Sequence, residues 1–404
     1  MSMLQRVGVL VSFWLAATVF ASAQAPSSPT LNEAPRVLQG TGPTANPAAD
    51  THAAADAAKN GDGFDVSPFL DKTFGFLPVV SPITEPAIGY GASGGLMFLS
   101  KSFGDMSAGL GRPNITYVGG MGTSNGSWAV YGIDARYWLR DHLQTLFVAI
   151  YGSLNLDFYG IGKTEALQDD PLRYSLRPIG GTAQVKYRFG DSSIWAGLNA
   201  RFASTAVEFD SKEGTDLPAY HRASNLGGAT AMAVWDSRDN IFTPIRGTYV
   251  EGNFGMFLAG PESTGVFEQA ELLALQFIPL PFRLYLGLRG QVKATFGEAP
   301  FYFLPFISMR GVMQVRYQGE EIAQLEAELR WQFWKRWSLV GFAGGGGAWA
   351  QFERFDEAQG VAAGGGGFRY EIARKYGIHA GIDVAGSRDT AAVYIQVGSD
   401  WMRP

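Results

Sequence analysis

Ser93 sits in Gly91-Ala92-Ser93-Gly94-Gly95, the G-x-S-x-G spacing that can raise a nucleophile on a strand-to-helix elbow. Here the pattern falls inside a strand, with no helix to follow, so the serine lacks the elbow that would expose it. Gly160-Ile161-Gly162-Lys163-Thr164 ends like a phosphate-binding loop, but Asp157 stands where the first glycine belongs. The four histidines, His52, His142, His221 and His379, are scattered and show no metal-ligand spacing. With no cysteine, thiolate and disulfide chemistry are excluded. The expectation is a chain without catalytic residues, metal or cofactor. A serine and a histidine meeting in space from different strands would escape this reading, so a lipid hydrolase stays open as a low-ranked alternative.

The elements that position these residues explain why the fragments fail. From Phe282 to Phe296 every even-numbered residue is apolar or glycine, while Arg283, Arg289, Gln291 and Lys293 fall among the odd ones. Side chains on a strand alternate between faces, so this is one long strand with a greasy side and a cationic side. The same alternation recurs: Leu325, Ala327, Leu329, Trp331 and Phe333 oppose Gln324, Glu326, Glu328, Arg330 and Gln332. A wall between lipid and water reads this way. Sixteen strand candidates follow, from about 74–82 to about 390–401, with the eleventh at 281–297 and the twelfth at 320–334. Trp331, Trp334, Trp337 and Trp401 near strand ends fit interfacial girdles. Only 17% of residues are charged and the net charge is −5, which argues against a nucleic-acid partner.

Residues 1–23 read as a signal peptide, with Arg6, an apolar run from Val7 to Phe20 and the small residues Ala21-Ser22-Ala23. Residues 24–68 are poor in large apolar side chains and read as a disordered periplasmic tail, with 69–404 forming the barrel. Numbered from that tail, the tight connections follow even strands. The long ones, 155–172, 209–221, 298–319 and 351–360, follow odd strands and fall outside, and one connection, Lys101 to Arg112, breaks the rule moderately. The fold class expected is all-β: a 16-stranded antiparallel transmembrane barrel.

Two stretches carry a family resemblance. Asp236-Ser237-Arg238-Asp239-Asn240, followed by Pro244 and Gly247, resembles the D-x-R-D-N-x-x-x-P-x-x-G periplasmic turn of the BamA/TamA outer-membrane superfamily. Ser308-Met309-Arg310-Gly311-Val312, in the long loop after the eleventh strand, is similar to that family's loop motif, with Val312 where an aromatic is usual. The resemblance implies that this loop folds into the lumen and that Arg310 pairs with Glu328. Gly344 stands where the family often has an Asp. The glycines 344–347 and 364–367 leave two strands almost bare, and close approach of the Arg310 loop is expected there. Phe158-Tyr159-Gly160-Ile161-Gly162 also resembles a family loop. The ending Tyr394 to Trp401, with Gly398, looks like the C-terminal strand signal read by the barrel-assembly machinery.

By resemblance the function is insertion or translocation of protein or lipid at the cell outer membrane, in a version lacking POTRA domains. The partners implied are outer-membrane lipid, the assembly machinery during biogenesis, and a periplasmic protein recruited by the tail. Pro78 and Pro82 in the first strand remove ladder donors, which would weaken its seam with the last. A passive or substrate-selective pore is the alternative, lined by Arg136, Lys186, Arg188, Arg201, Arg283, Arg289 and Lys293, with Asp134 and Glu326 as counterparts.

Overall fold

The computed structural model describes residues 63–72, 75–100, 114–163, 167–210, 221–260, 265–350 and 355–402. Strand alternation there becomes a meander of sixteen strands: β1 (Gly75–Glu85), β2 (Gly89–Leu99), β3 (Ile115–Thr123), β4 (Trp128–Trp138), β5 (Leu143–Phe158), β6 (Leu172–Arg188), β7 (Ile194–Phe209) and β8 (His221–Asp236). It continues through β9 (Gly247–Gly260), β10 (Gly265–Leu280), β11 (Leu284–Gly297), β12 (Glu321–Trp334), β13 (Trp337–Trp349), β14 (Gln359–Ala373), β15 (Ile378–Ser387) and β16 (Ala391–Val397). Each strand pairs antiparallel with its sequence neighbours. β1 and β16 lie side by side without a ladder between them among the described residues. The sheet therefore curls into a barrel with one seam.

On β11 and β12 the two faces are those of the sequence pattern, whereas on β4 they are exchanged. Ala129, Tyr131, Ile133 and Ala135 are buried inside, and Asp134 and Arg136, expected in the lumen, share the outer face with the exposed Trp128 and Val130. Leu325, Leu329, Trp331 and Phe333 of β12 are exposed on the outside, as are Leu288, Val292 and Phe296 of β11. Arg289, Gln291, Lys293, Gln324, Glu326 and Arg330 are buried inside. Elsewhere the inward face is largely apolar too, with Val79, Met97, Tyr131, Val148, Leu154 and Leu176 buried there. A sixteen-stranded barrel with an apolar exterior is a transmembrane one. No helix of the described residues is long and apolar enough to cross a membrane.

The eleventh strand starts later than expected. Phe282 and Arg283 have φ of 62° and 58°, left-handed values that end the ladder, so both belong to the tight β10–β11 turn. Arg283 is exposed there and does not line the lumen. At the other extreme, β16 stops at Val397, short of the expected Trp401, because Gly398 turns the chain at φ +80°.

At the tight-turn end a short helix, α1 (Ser67–Lys72), lies against the turns that join β12 to β13 and β14 to β15. The expected boundary between tail and barrel at 68/69 falls inside this helix. Arg336 donates to the Phe64 carbonyl (2.9 Å) and to Asp65 (2.8 Å), Val66 N–H bonds the Ile372 carbonyl (2.7 Å), and Lys375 pairs with Asp71 (2.8 Å). The rest of the expected tail and signal peptide, and the 101–112 connection, lie outside the described residues.

Candidate functional site

The loop between β11 and β12 leaves one rim of the barrel and folds into the lumen. Its outer part carries an aromatic wedge, Phe301, Tyr302 and Phe303, packed edge-on against Phe158, Tyr174 and Phe257. Further in, Ile307 N–H bonds the Tyr317 carbonyl (2.9 Å), and Ser308 N–H bonds Gln324 Oε1 (2.8 Å). The inner wall thus receives the loop through side chains that strand parity had turned inward.

At the tip, Arg310 donates through Nη2 to Glu328 Oε2 (2.5 Å) and through Nη1 to Asp383 Oδ2 (2.7 Å). Asp400 Oδ2 lies 3.6 Å from its Nε, and the guanidinium sits 3.6 Å over the Phe342 ring. A buried cation is tolerable only when paired and hydrogen-bonded, and Arg310 meets that requirement with three carboxylates from β12, β15 and the chain end. Asp383 in turn takes a two-pronged bond from Arg369 (2.5 and 2.7 Å). Gly311 is at φ +82°, donates to the Tyr394 hydroxyl (3.0 Å), and a Cβ there would lie 2.7 Å from the Gly386 nitrogen. Only glycine fits both the conformation and the space.

A second, neighbouring network is built on β10, β11 and β12. Arg289 donates to Glu326 (2.5 Å), to Gln291 (2.6 Å) and to the Ser308 carbonyl (3.0 Å). Gln291 passes on to Glu271 (2.5 Å), which Lys293 approaches at 3.4 Å. Of the cations expected in the lumen, Arg289 thus ties the loop to the wall, and Lys293 pairs across strands of the wall.

The glycine-rich strands divide in use. A Cβ on Gly346 would lie 2.8 Å from Ile307 Cδ1, and one on Gly344 would lie 3.1 Å from Met309 Sδ. The loop presses on β13 there. On β14 the space is filled by the wall itself: Phe342 abuts Gly365, and Asp383 abuts Gly367. Asp383 was missing from the sequence reading, which looked for a carboxylate on β13 at Gly344. Its signal was parity, since Asp383 follows the outward Ile382 on β15 and is fully buried.

The Asp236–Gly247 turn joins β8 to β9 and is a knot of side-chain bonds. Asp236 accepts from Arg238 Nε (2.9 Å) and Nη2 (2.8 Å), and Arg238 stacks 4.4 Å over Tyr249. Asp239 accepts from Ile245 N–H (3.1 Å), and Asn240 accepts from Phe242 N–H (2.7 Å) while donating to the Tyr376 carbonyl (3.0 Å). Pro244 is buried, and Gly247 takes φ +106°. The result drives Ile241 and Phe242 inward, where the Phe242 carbonyl receives Ser399 N–H (2.5 Å). Trp401 was expected in a girdle facing lipid. It is instead 3% exposed inside the lumen, among Val234, Tyr249, Leu273, Leu275 and Phe277, because the bend at Gly398 swings it inward.

The remaining residues of interest are placed as follows. Ser93 accepts from the Tyr131 hydroxyl (3.1 Å). His379 is buried, its Nε2 3.1 Å from Arg330. His142 bonds the Leu139 carbonyl (2.8 Å) in a turn. Neither described histidine side chain bonds a serine. Tyr159 and Gly162, in the loop after β5, cross to the lumen loop: Arg316 stacks 4.4 Å over Tyr159, and Gly162 N–H bonds the Gln318 carbonyl (2.8 Å).

No protein-family model matches the sequence, and no curated protein matches it significantly. The fold does have solved counterparts. BamA from Haemophilus ducreyi lacking POTRA domains 1–3 superposes with a TM-score of 0.52 at 11% identity, covering 80% of this chain and 69% of that one. CdiB from Acinetobacter baumannii gives 0.50 at 8% identity, over 80% of this chain and 59% of that one. At such identities the likeness is one of fold: the chain is a sixteen-stranded transmembrane barrel similar to those of the two structures.

Proposed function

We propose that this BamA-type barrel assists insertion or translocation of protein or lipid at the outer membrane, by opening between β1 and β16. The observation that carries the reading is the seam. Among the described residues, fifteen neighbouring pairs form ladders, whereas β1 and β16 form none, and β16 is only seven residues long. Ladder bonds left unmade lower the cost of parting two strands. On the outward face of β1, Pro78 and Pro82 remove two further donors. Arg310, Glu328 and Asp383 hold the loop inside, so that the lumen is obstructed while the seam is the weak line. A cysteine in β1 paired with one in β16 tests this, in a chain with no native cysteine. Oxidation should abolish activity and reduction restore it, whereas equal activity in both states rejects the seam as the route.

A substrate-selective pore is the second reading, favoured by the inward cations Lys186, Arg188 and Arg201 on the wall away from the Arg310 tip. Planar-bilayer recording separates the two. A large steady conductance supports the pore, and small flickering currents support an obstructed barrel. The anchored segment from Phe64 to Asp71 is the proposed point through which a periplasmic partner reaches the barrel. Gly398 and Trp401 are proposed to serve the assembly machinery before the barrel closes around them.

A further inference from the structure

We infer that the C-terminal segment Gly398–Met402 is a latch seated in the lumen, whose withdrawal loosens the last strand and the Arg310 loop together. Three separate parts of the barrel meet on these few residues. Ser399 N–H is held by the Phe242 carbonyl of the β8–β9 turn. Asp400 accepts from Gln396 Nε2 (3.0 Å) and faces Arg310 Nε at 3.6 Å. Trp401 fills an apolar patch on β8, β9 and β10, beside Gly287 of β11, whose ladder partner on β12 is Glu328.

That patch is out of keeping with the lumen around it. Along β10 the inward residues change from Glu271 to Leu273, Leu275 and Phe277, all buried. Beside them Gly287 of β11 leaves a notch: a Cβ there would stand 2.7 Å from the indole. Apolar side chains facing a polar part of the lumen are explained by an apolar occupant, and the occupant here is the chain's own tryptophan.

The seat is also imperfect. Trp401 Nε1 and Arg310 Nε are both buried without a hydrogen-bond acceptor. Leaving donors unsatisfied disfavours the docked state, so the latch is held by packing and charge and stands ready to release. When the segment withdraws, Arg310 loses one of its three carboxylates, and β16 is freed from its anchor at Phe242. The seam and the loop are thereby coupled through five residues. The coupling requires no cargo, and the measurements below read it whether or not the barrel inserts anything.

The chain's lack of cysteine gives a clean test. Met402→Cys in the purified full-length barrel should react with a polar maleimide at least tenfold more slowly than in the urea-unfolded chain. Adding Gly287→Leu, which fills the notch, should raise the rate at least tenfold while the barrel keeps its folded electrophoretic mobility. Equal labelling with and without Gly287→Leu in folded barrels overturns the seat. Should Gly287→Leu not fold, Trp401→Ala supplies the same comparison. For the coupling, Asp400→Asn and Trp401→Ala should each speed chymotryptic cleavage of the loop severalfold, and Asp400→Glu should restore the original rate. Unchanged cleavage in both variants overturns it.

Discussion

One loop is fastened at two places by arginines, and the two fastenings differ in almost every physical respect. At the inner end Arg310 is 4% exposed, engages Glu328 and Asp383 with separate prongs, and lies on Phe342. At the outer end Arg316 pairs with Asp389 (3.1 Å) in the β15–β16 connection and stacks on Tyr159, while Tyr317 and the largely exposed Arg388 share the same carboxylate. Residue types are the same at both ends. What differs is water at the core of each: Arg310 and Asp383 have lost it, whereas Arg316 and Asp389 keep part of it, as Glu328 does at the inner end. Burial makes the inner contact expensive to break, because each side chain left behind is an unpaired charge in a dry place. The outer contact gains and loses little.

The sharpest way to break the comparison is Arg310→Ala. Removing one partner of a buried ion pair costs about 3–5 kcal/mol. At about 1.4 kcal/mol per tenfold, the open population of the loop should rise by roughly two to three and a half powers of ten. Chymotryptic cleavage after the loop's aromatic residues measures it. Arg310→Lys should recover only part of the protection, since an ammonium cannot reach Glu328 and Asp383 with separate prongs. Full protection in the alanine variant would mean that the aromatic wedge at Phe301–Phe303, not the charge, holds the loop.

How much of this was legible in the sequence follows from which interactions are local. Alternation on β11 and β12 shows which side chains face the lumen, because parity depends only on neighbouring residues. It therefore places Glu326, Glu328 and Arg289 without knowledge of any contact. The pairing of Arg310 with Asp383 joins residues 73 positions apart and depends on how far the loop descends, which no pattern encodes. Trp401 was misplaced for a related reason. Its parity and neighbours are those of a strand end, but one left-handed glycine redirects everything beyond it. Phe282 and Arg283 fail in the same manner at the β10–β11 turn. Strand interiors are read well, and the residue where a strand stops is set by backbone geometry.

An intermediate effect is expected from Gly346→Leu, which acts on the inner fastening without touching a charge. Its side chain would enter the space of Ile307, and overpacking of this kind costs about 1–3 kcal/mol. Loop cleavage should accelerate by roughly one power of ten. Gly345→Leu is the control on the same strand, since its Cβ meets nothing from the loop. Equal cleavage in both variants would show that the loop does not rely on its seat against β13.

The smallest effect belongs to the outer fastening, and pH distinguishes it. Burial works against the Asp389 charge, but the Tyr317 hydroxyl, Arg316 and Arg388 outweigh it and hold the carboxyl below its ordinary 3.8. A depressed pKa means that its stabilisation is fully present above the ordinary value and disappears as pH falls through the lowered one. From pH 7 down to 5 the outer end should therefore keep its protection, and lose it only in stronger acid. Because the group is partly solvated, the change is about 1 kcal/mol or less. Amide exchange of residues 312–319, corrected for intrinsic rates, should show a severalfold loss of protection between pH 6 and 3. Asp389→Asn should remove that difference while leaving the Arg310 end protected. A pH response that persists in Asp389→Asn would place the titrating group elsewhere, and the two ends would no longer be distinguished by how much water each retains.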